Sequence, residues 1–441
     1  MATSPAQVAE PTPPSGAPAS TDTRIPTKSV MAVLVAWLFV VFDGYDLIVY
    51  GTVTGALMEE WGLTPGQAGT IGSMAFVGMM IGALVAGRVS DAIGRRKTII
   101  ACGVILSAFT ALCAISTSPW IFGLLRLLAG LGLGGLVPSA NALAADVVPL
   151  RWRASVATLM MSGVPIGGSA AALVGIPVIP AMGWRPMFAF ALIGLVVLIP
   201  LALAFFPKDD PGREGRAARA ADPTVARHEG YGALLRPPYR GIGILFAVAT
   251  VVTLMAWYGL GTWLPKLMVE DGYSFENALL FDLALNLGAV VGSVVTAWAG
   301  DKVGTIPTAV AAAGLAGIAL LVLLLKPPIA VVYVILILAG VGTHGTQCLI
   351  IAAIATYFPD NLRGTALGFG LGMGRIGAVA APQLGGLLLG WGLGVGSNYI
   401  MFGGAALIAA IILAGIWANF GVTHDSAKRG RVKAVEGEAV M

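Results

Sequence analysis

The chain has 441 residues, of which 57% are hydrophobic and only 11% are charged, and its mean hydropathy is +0.87. Soluble domains carry about 25% charged residues, so this sequence lacks the polar side chains that a water-exposed surface needs. Its 60 glycines would weaken soluble helices, whereas small residues let helices in a membrane approach closely. The composition therefore excludes a soluble globular protein and predicts a polytopic membrane protein.

Apolar runs of about 20 residues, the length that crosses the bilayer core, recur twelve times along the chain. We predict helices at 30–57, 67–90, 98–117, 119–144, 153–178, 183–205, 240–266, 276–299, 306–325, 329–355, 364–390 and 397–420. Residues 1–29 are rich in Pro, Ser, Thr and Ala, which predicts a disordered tail rather than a signal peptide. A polar linker, 206–239, separates a six-helix half at 30–205 from a second half at 240–420, and 421–441 form a second tail.

The distribution of Lys and Arg predicts the orientation in the membrane. With the N-terminus inside, the inner segments hold 21 of the 26 Lys and Arg residues, whereas the outer loops hold only Arg185, Lys266 and Lys326. Both termini and the linker are therefore expected in the cytoplasm.

Two loops repeat a short pattern in the two halves. The loop after predicted helix 2 runs from Gly87 through Asp91 and Gly94 to Arg95-Arg96-Lys97, and the loop after helix 8 contains Asp301 and Gly304 at the same spacing. Gly permits a tight turn between helices, and Asp can accept backbone N–H bonds at a helix start. The matching loops indicate a duplicated six-helix unit, which is the usual plan of transporters that alternate access.

The first of these loops resembles the signature loop of the major facilitator superfamily, and the second is a degenerate copy without the basic ending. The resemblance implies an all-α membrane fold of twelve transmembrane helices in two six-helix halves. It also implies a gating role for Asp91, Arg95 and Arg363, in a loop that includes Gly87, Gly94 and Arg96. The alternative is that the basic residues only fix the topology.

Predicted helix 1 contains Phe42-Asp43-Gly44-Tyr45-Asp46, and helix 4 contains Arg126 followed by Gly130, Gly132, Gly134 and Gly135. These segments resemble the aromatic acid:proton symporter family, which includes bacterial 4-hydroxybenzoate, benzoate and gentisate importers. The resemblance extends over about residues 30–420. It implies import of a small aromatic carboxylate with protons, by alternating access.

Asp43 and Asp46 are three residues apart, which places them on roughly one face of a helix inside the membrane. Two carboxylates in one site of low dielectric constant cannot both ionise cheaply, so one of them is expected to carry the coupled proton. The alternatives are that one Asp caps a helix broken at Gly44, or pairs structurally with an Arg.

Two arginines also lie within predicted spans. The planar guanidinium of Arg375 suits a carboxylate, so we expect it to bind the substrate, with a structural salt bridge to helix 1 as the alternative. Arg126 matches an arginine that family members use in proton transfer or gating. For this residue, substrate contact and pairing with an Asp stay open.

Predicted helix 10 carries His344 and Gln347 near the middle of the membrane. His344 is a candidate proton relay or a structural residue, and Gln347 could hydrogen-bond a ring hydroxyl of the substrate. On helix 8, Asn286 is a further candidate ligand, whereas Asp282 is expected at the outer rim.

Aromatic rings offer stacking surfaces for a flat substrate. The candidates are Tyr45, Phe42, Trp257, Tyr258 and Trp263, each of which could instead pack in the core, or, for Trp263, lie at the membrane interface.

The sequence has no strand–loop–helix setting for a nucleotide loop, no metal-ligand spacing and no nucleophile elbow. We therefore expect no enzyme activity and no cofactor other than the proton gradient. The expected partners are an aromatic acid, protons and the lipid bilayer, with no nucleic acid, and the chain is expected to be a monomer. Import of another organic acid, an efflux antiporter and a non-transporting sensor remain as alternatives.

Overall fold

The computed structural model describes residues 26–208 and 231–420. The predicted tails and linker fall mainly on residues 1–25, 209–230 and 421–441, which lie outside the described residues. The first helix begins at Thr27, inside the segment that the sequence assigned to the N-terminal tail.

The described residues form twelve long helical segments in chain order. They are α1 (Thr27–Trp61), α2 (Pro65–Ile93), α3 (Arg95–Cys113), α4 (Pro119–Asp146), α5 (Arg153–Met182), α6 (Arg185–Phe205), α7 (Tyr239–Glu270), α8 (Phe275–Val303), α9 (Thr305–Leu325), α10 (Ile329–Tyr357), α11 (Asp360–Gly390) and α12 (Val395–Phe420). Short helical turns lie at Leu150–Trp152 and Tyr231–Leu234. Each predicted span coincides with one of these segments to within four residues at either end, so the all-helical prediction is confirmed.

Eleven of the described helices are long and apolar enough to cross a membrane. The exception is α11, where many glycines, the charge of Arg375 and the amide of Gln383 lower the mean hydropathy. Its length of 31 residues still suffices to span the bilayer core.

The sixth segment is irregular, which the sequence did not predict. It consists of an α-helix at Arg185–Ala189, a π-helical turn at Gly194–Leu198 and an α-helix at Ile199–Phe205. Gly194 lies against the Ser107 side chain of α3 so closely that a β-carbon would collide with its hydroxyl. The backbone of α6 therefore approaches α3 where the π-helical turn begins.

Helix pairing repeats six helices apart along the chain. In the first six segments α1 packs on α5 and α2 packs on α4, and in the last six α7 packs on α11 and α8 packs on α10. The two sets meet through α2 with α11, α5 with α8, and α1 with α7.

These contacts between the sets concentrate at one end of the molecule. We call the end where α1 begins and α12 ends the terminal face, and the other end the opposite face. Thr70, in the second turn of α2, hydrogen-bonds Gln383 near the end of α11 at 2.8 Å, and Ser73 donates to the Val379 carbonyl at 2.7 Å. Gly51 of α1 packs directly on the backbone of α7. The two sets are thus joined on the side of the opposite face.

Candidate functional site

A buried ion pair joins α1 to α4. Nη1 of Arg126 lies 2.7 Å from Oδ2 of Asp46, and Nη2 donates to the Asp46 backbone carbonyl at 3.0 Å. The hydroxyl of Thr110 on α3 donates to Oδ1 of the same carboxylate at 2.6 Å. Arg126 is 1% exposed and Asp46 is fully buried. Of the two roles left open for Arg126, the structure shows pairing with an Asp.

Asp43, one turn earlier on α1, has different surroundings. Its side chain is 2% exposed, and Oδ1 has no hydrogen-bond partner among the described residues. The opposite charge that acts on it is that of Arg375 on α11. The two carboxylates of α1 thus face different arginines, one of them in direct contact and the other at longer range.

Arg375 is partly exposed, and among the described residues it forms one long hydrogen bond, from Nη1 to the Tyr258 hydroxyl at 3.4 Å. The Tyr258 ring on α7 packs on Phe76 of α2, with 4.8 Å between the ring centroids. Arg375 forms no ion pair with a carboxylate in the described ranges, so the structural salt bridge to helix 1 does not form in this conformation. Its remaining guanidinium donors can bind an anion.

A second polar group lies on α10. His344 is 5% exposed, its ring stacks 5.1 Å from that of Trp257, and its Nε2 atom has no partner among the described residues. One turn along, Gln347 is 6% exposed, and neither end of its amide is hydrogen-bonded to the described residues. Buried polar atoms cost about 1–3 kcal/mol each when unsatisfied, so such a cluster marks a place for a polar ligand or for water.

Asp282, which was expected as a residue of the outer rim, is buried. Asp282 and Asn286 are both fully buried on α8. The Asn286 amide donates to the Asp282 backbone carbonyl at 2.9 Å and lies 3.4 Å from its Oδ1 atom. The amide nitrogen of Asn286 is therefore engaged by Asp282, and a contact of Asn286 with substrate stays a prediction.

Two aromatic candidates have structural partners. The Tyr45 hydroxyl donates to the Met187 carbonyl of α6 at 2.8 Å, which holds this ring against α6. Trp263 is fully buried and donates to the Pro382 carbonyl at 2.9 Å, so it is not an interfacial residue. Phe42 is half-buried and packs against a core cluster to which both sets of helices contribute. The Trp257 ring contacts His344, and the Tyr258 hydroxyl accepts a hydrogen bond from Arg375.

The signature loop forms the junction of α2 and α3. Gly94 takes a φ of 89° there, a conformation that favours glycine. Arg95 forms an ion pair with Asp146 at the end of α4 and donates to the Ala142 carbonyl, while Arg96 donates to the Leu203 carbonyl of α6 at 2.7 Å. Gly87 has open space around it.

Two more residues were assigned to gating, Asp91 of this loop and Arg363 of α11. The side chain of Asp91 lies outside the described residues. Arg363, in the first turn of α11, has interactions of its own, although its Nε atom has no hydrogen-bond partner among the described residues. The proposed gating role of the loop stays a prediction.

Sequence reasoning missed Thr110, Asp146 and the burial of Asp282. Asp146 ends the apolar run of α4 just before the basic residues Arg151 and Arg153, and that position could have identified it as a partner for the signature loop. Nothing in the sequence singles out Thr110. In the described ranges, no group of three or more His, Cys, Asp or Glu side chains is placed to hold a metal ion.

Comparisons with known proteins agree with this architecture. A family model of the Major Facilitator Superfamily matches residues 36–382 and 280–437. The chain is 58% identical to the gentisate transporter of Corynebacterium glutamicum, over 90% of either protein. It is 33% identical to the benzoate transport protein of Acinetobacter baylyi, over 83% of this chain and 85% of that protein.

Among solved structures, a D-xylose–proton symporter superposes with a TM-score of 0.71, over 87% of this chain and 97% of the other, at 16% identity. Identity at this level shows the fold alone. The family match, by contrast, covers most of the sequence, and so do both relatives, which are transporters. The chain is a transporter rather than an enzyme, and it belongs to the Major Facilitator Superfamily, in the family of the bacterial aromatic acid transporters.

Proposed function

We propose that the chain imports a small aromatic carboxylate of the benzoate or hydroxybenzoate type together with protons, by alternating access in the bacterial cytoplasmic membrane. The observation that carries the proposal is the pair of opposite charges between the two halves. Asp43 is a buried carboxylate without an ion-pair partner in the described residues, and the guanidinium of Arg375 acts on it. Such groups inside a membrane are costly unless they have a task.

The substrate carboxylate binds Arg375, because a guanidinium with unused donors forms paired, charge-assisted hydrogen bonds to a carboxylate. The aromatic ring lies against Tyr258 and Phe76, whose rings already pack on each other beside the guanidinium. The unpaired amide of Gln347 and the Nε2 atom of His344 serve ring hydroxyls. The names of the relatives, a gentisate transporter and a benzoate transport protein, support an aromatic acid as the substrate.

Asp43 rather than Asp46 carries the coupled proton. The Asp46 carboxylate already has two partners, the Arg126 guanidinium and the Thr110 hydroxyl. Asp43 depends on the more distant charge of Arg375, and an arriving carboxylate neutralises that charge. The protonated, neutral form of Asp43 is then favoured. Substrate and proton therefore reinforce each other's binding, as linkage requires.

The orientation follows from the excess of Lys and Arg on one side. With both termini in the cytoplasm, the joined opposite face is the outer face, and this conformation is closed to the outside. One proton accompanying a monoanion is electroneutral and responds to the pH gradient alone. Two protons would also draw on the membrane potential, at about 2.3 kcal/mol per charge for each 100 mV.

The test is uptake of labelled benzoate, hydroxybenzoates and gentisate into proteoliposomes, with an inward proton gradient imposed or abolished. We expect accumulation that requires the gradient and that the other aromatic acids compete away. Glu59→Gln, at an exposed carboxylate in the last turn of α1, serves as the control variant.

If only a non-aromatic acid showed gradient-dependent uptake, the substrate would be another organic acid. Uptake driven by an outward proton gradient would indicate an antiporter. Binding without flux of any acid would indicate a sensor, and each of these results contradicts the proposed import.

A further inference from the structure

Asp282 and Asn286 form a buried polar pair that the transport mechanism above does not use. Both are fully buried and lie four residues apart, on one face of α8. Oδ2 of Asp282 and Oδ1 of Asn286 have no hydrogen-bond donor among the described residues. Both orphan atoms are acceptors, and a proton on the carboxyl group converts one of them into a donor.

This pair lies in the interface that joins the two halves. The Asn286 carboxamide packs against Gly168 of α5 so closely that a β-carbon there would collide with its Oδ1 atom. One to two turns nearer the opposite face, Leu279 of α8 packs on Gly175 of α5. Asp282 lies between these two contact levels along α8, so separation of α5 from α8 would bring water to it.

The helices that pack on α8 bring few ionisable groups near this pair. Within the spans, α5 beyond its first turn and α9 carry none. The titratable side chains of the other two are Tyr258, Lys266 and Glu270 on α7 and Tyr333, His344 and Cys348 on α10, besides Tyr239, Arg240 and Tyr357 at the terminal-face ends of these helices. Lys266 and Glu270 pair with each other at 3.3 Å, and Tyr333 packs on Phe281. Within the described ranges, no cationic side chain forms an ion pair with Asp282.

An ionised carboxylate without a counter-charge is among the most expensive groups to bury. We propose that Asp282 is a second proton-binding site, which holds a proton while α5 and α8 are in contact and releases it when they separate. If the proposed function is right, this interface faces the outside. External acidity then favours closure of the outer side, independently of the substrate-linked proton on Asp43.

The experiment measures the distance between α5 and α8 without substrate. Spin labels at Met182→Cys and Glu276→Cys, both exposed near the opposite face, report that distance by double electron–electron resonance. The native cysteines Cys102, Cys113 and Cys348 are replaced by Ala in this reference protein. From pH 5 to pH 9, we expect the ratio of separated to closed populations to rise by up to about tenfold per pH unit, as one linked proton allows.

Asp282→Asn, which is isosteric and always neutral, is expected to keep the short distance at every pH. Glu59→Gln, which neutralises an exposed carboxylate in the last turn of α1, is expected to titrate like the reference. Asp282→Glu keeps the carboxyl group and is expected to retain a pH response even if Asp282→Asn folds poorly.

Three results would overturn the proposal. They are an unchanged titration in Asp282→Asn, a reference protein whose distance ignores pH, and a distance that follows Na⁺ at constant pH, which would indicate a metal cation at the two oxygens. Because no substrate is present, these outcomes are independent of the uptake assay that tests the proposed function.

Discussion

Substitution of Asp46 by Asn should destabilise the protein strongly. The change leaves the Arg126 guanidinium, 1% exposed, without the carboxylate that lies 2.7 Å from it. Removing one partner of a buried ion pair costs about 3–5 kcal/mol. For a folding unit of about 150–250 residues, each kcal/mol lowers the melting temperature by about 2–4 °C, so we expect a fall of about 6–20 °C.

The companion substitutions make this prediction specific. Arg126→Met leaves a carboxylate, which a proton can neutralise, whereas the guanidinium left by Asp46→Asn cannot lose its charge. Arg126→Met should therefore be the milder change and should recover at low pH. The double variant removes both charges and should regain most of the loss.

The assay is thermal unfolding in detergent, followed by tryptophan fluorescence from pH 5 to pH 8. Equal losses in the two single variants that add up in the double variant would refute the reasoning, because independent sites add and a charge pair does not.

Three further predictions concern binding and packing. Arg375→Ala should weaken aromatic acid binding by at least about tenfold, since charge-assisted hydrogen bonds contribute about 1.5–3 kcal/mol. Arg375→Lys should recover part of the lost affinity. Equal affinity of the wild type and both variants in calorimetry would rule out a substrate contact of Arg375. Gly167→Ala should lower the melting temperature, because its β-carbon would collide with the α1 backbone, at a typical overpacking cost of about 1–3 kcal/mol. Gly404→Ala, with open space around it, is the matched control and should be neutral. Gln347→Leu should reduce competition by hydroxylated acids while benzoate competes as before, and a parallel loss for both would contradict a contact to the ring hydroxyl.

The helices could be predicted from the sequence because a bilayer requires long apolar runs, and each of those runs formed a helix. The π-helical turn at Gly194–Leu198 could not be predicted, because it accompanies a close approach of α6 to Ser107 that no local pattern encodes.

Site residues could be predicted where a charged residue interrupts an apolar run, because such a residue is conspicuous in the sequence. This applies to Asp43, Asp46, Arg126 and Arg375. Which acid meets which arginine depends on how α1, α4 and α11 pack, and the spacing along α1 does not contain that information. The burial of Asp282 was missed for a similar reason. It lies seven residues into α8, about 10 Å from its start, yet it is fully buried, and helix packing of that kind cannot be predicted from position along the chain.

The most direct test of coupled transport is proton movement driven by the substrate itself. Gentisate is added to de-energised proteoliposomes that contain the protein and a trapped pH indicator dye, with Asp43→Asn measured in parallel. The account predicts that gentisate entry acidifies the interior of wild-type vesicles beyond the signal of protein-free vesicles, whereas Asp43→Asn carries out gentisate exchange without proton uptake. Gentisate entry into wild-type vesicles with no accompanying proton, or unchanged proton uptake in Asp43→Asn, would contradict it.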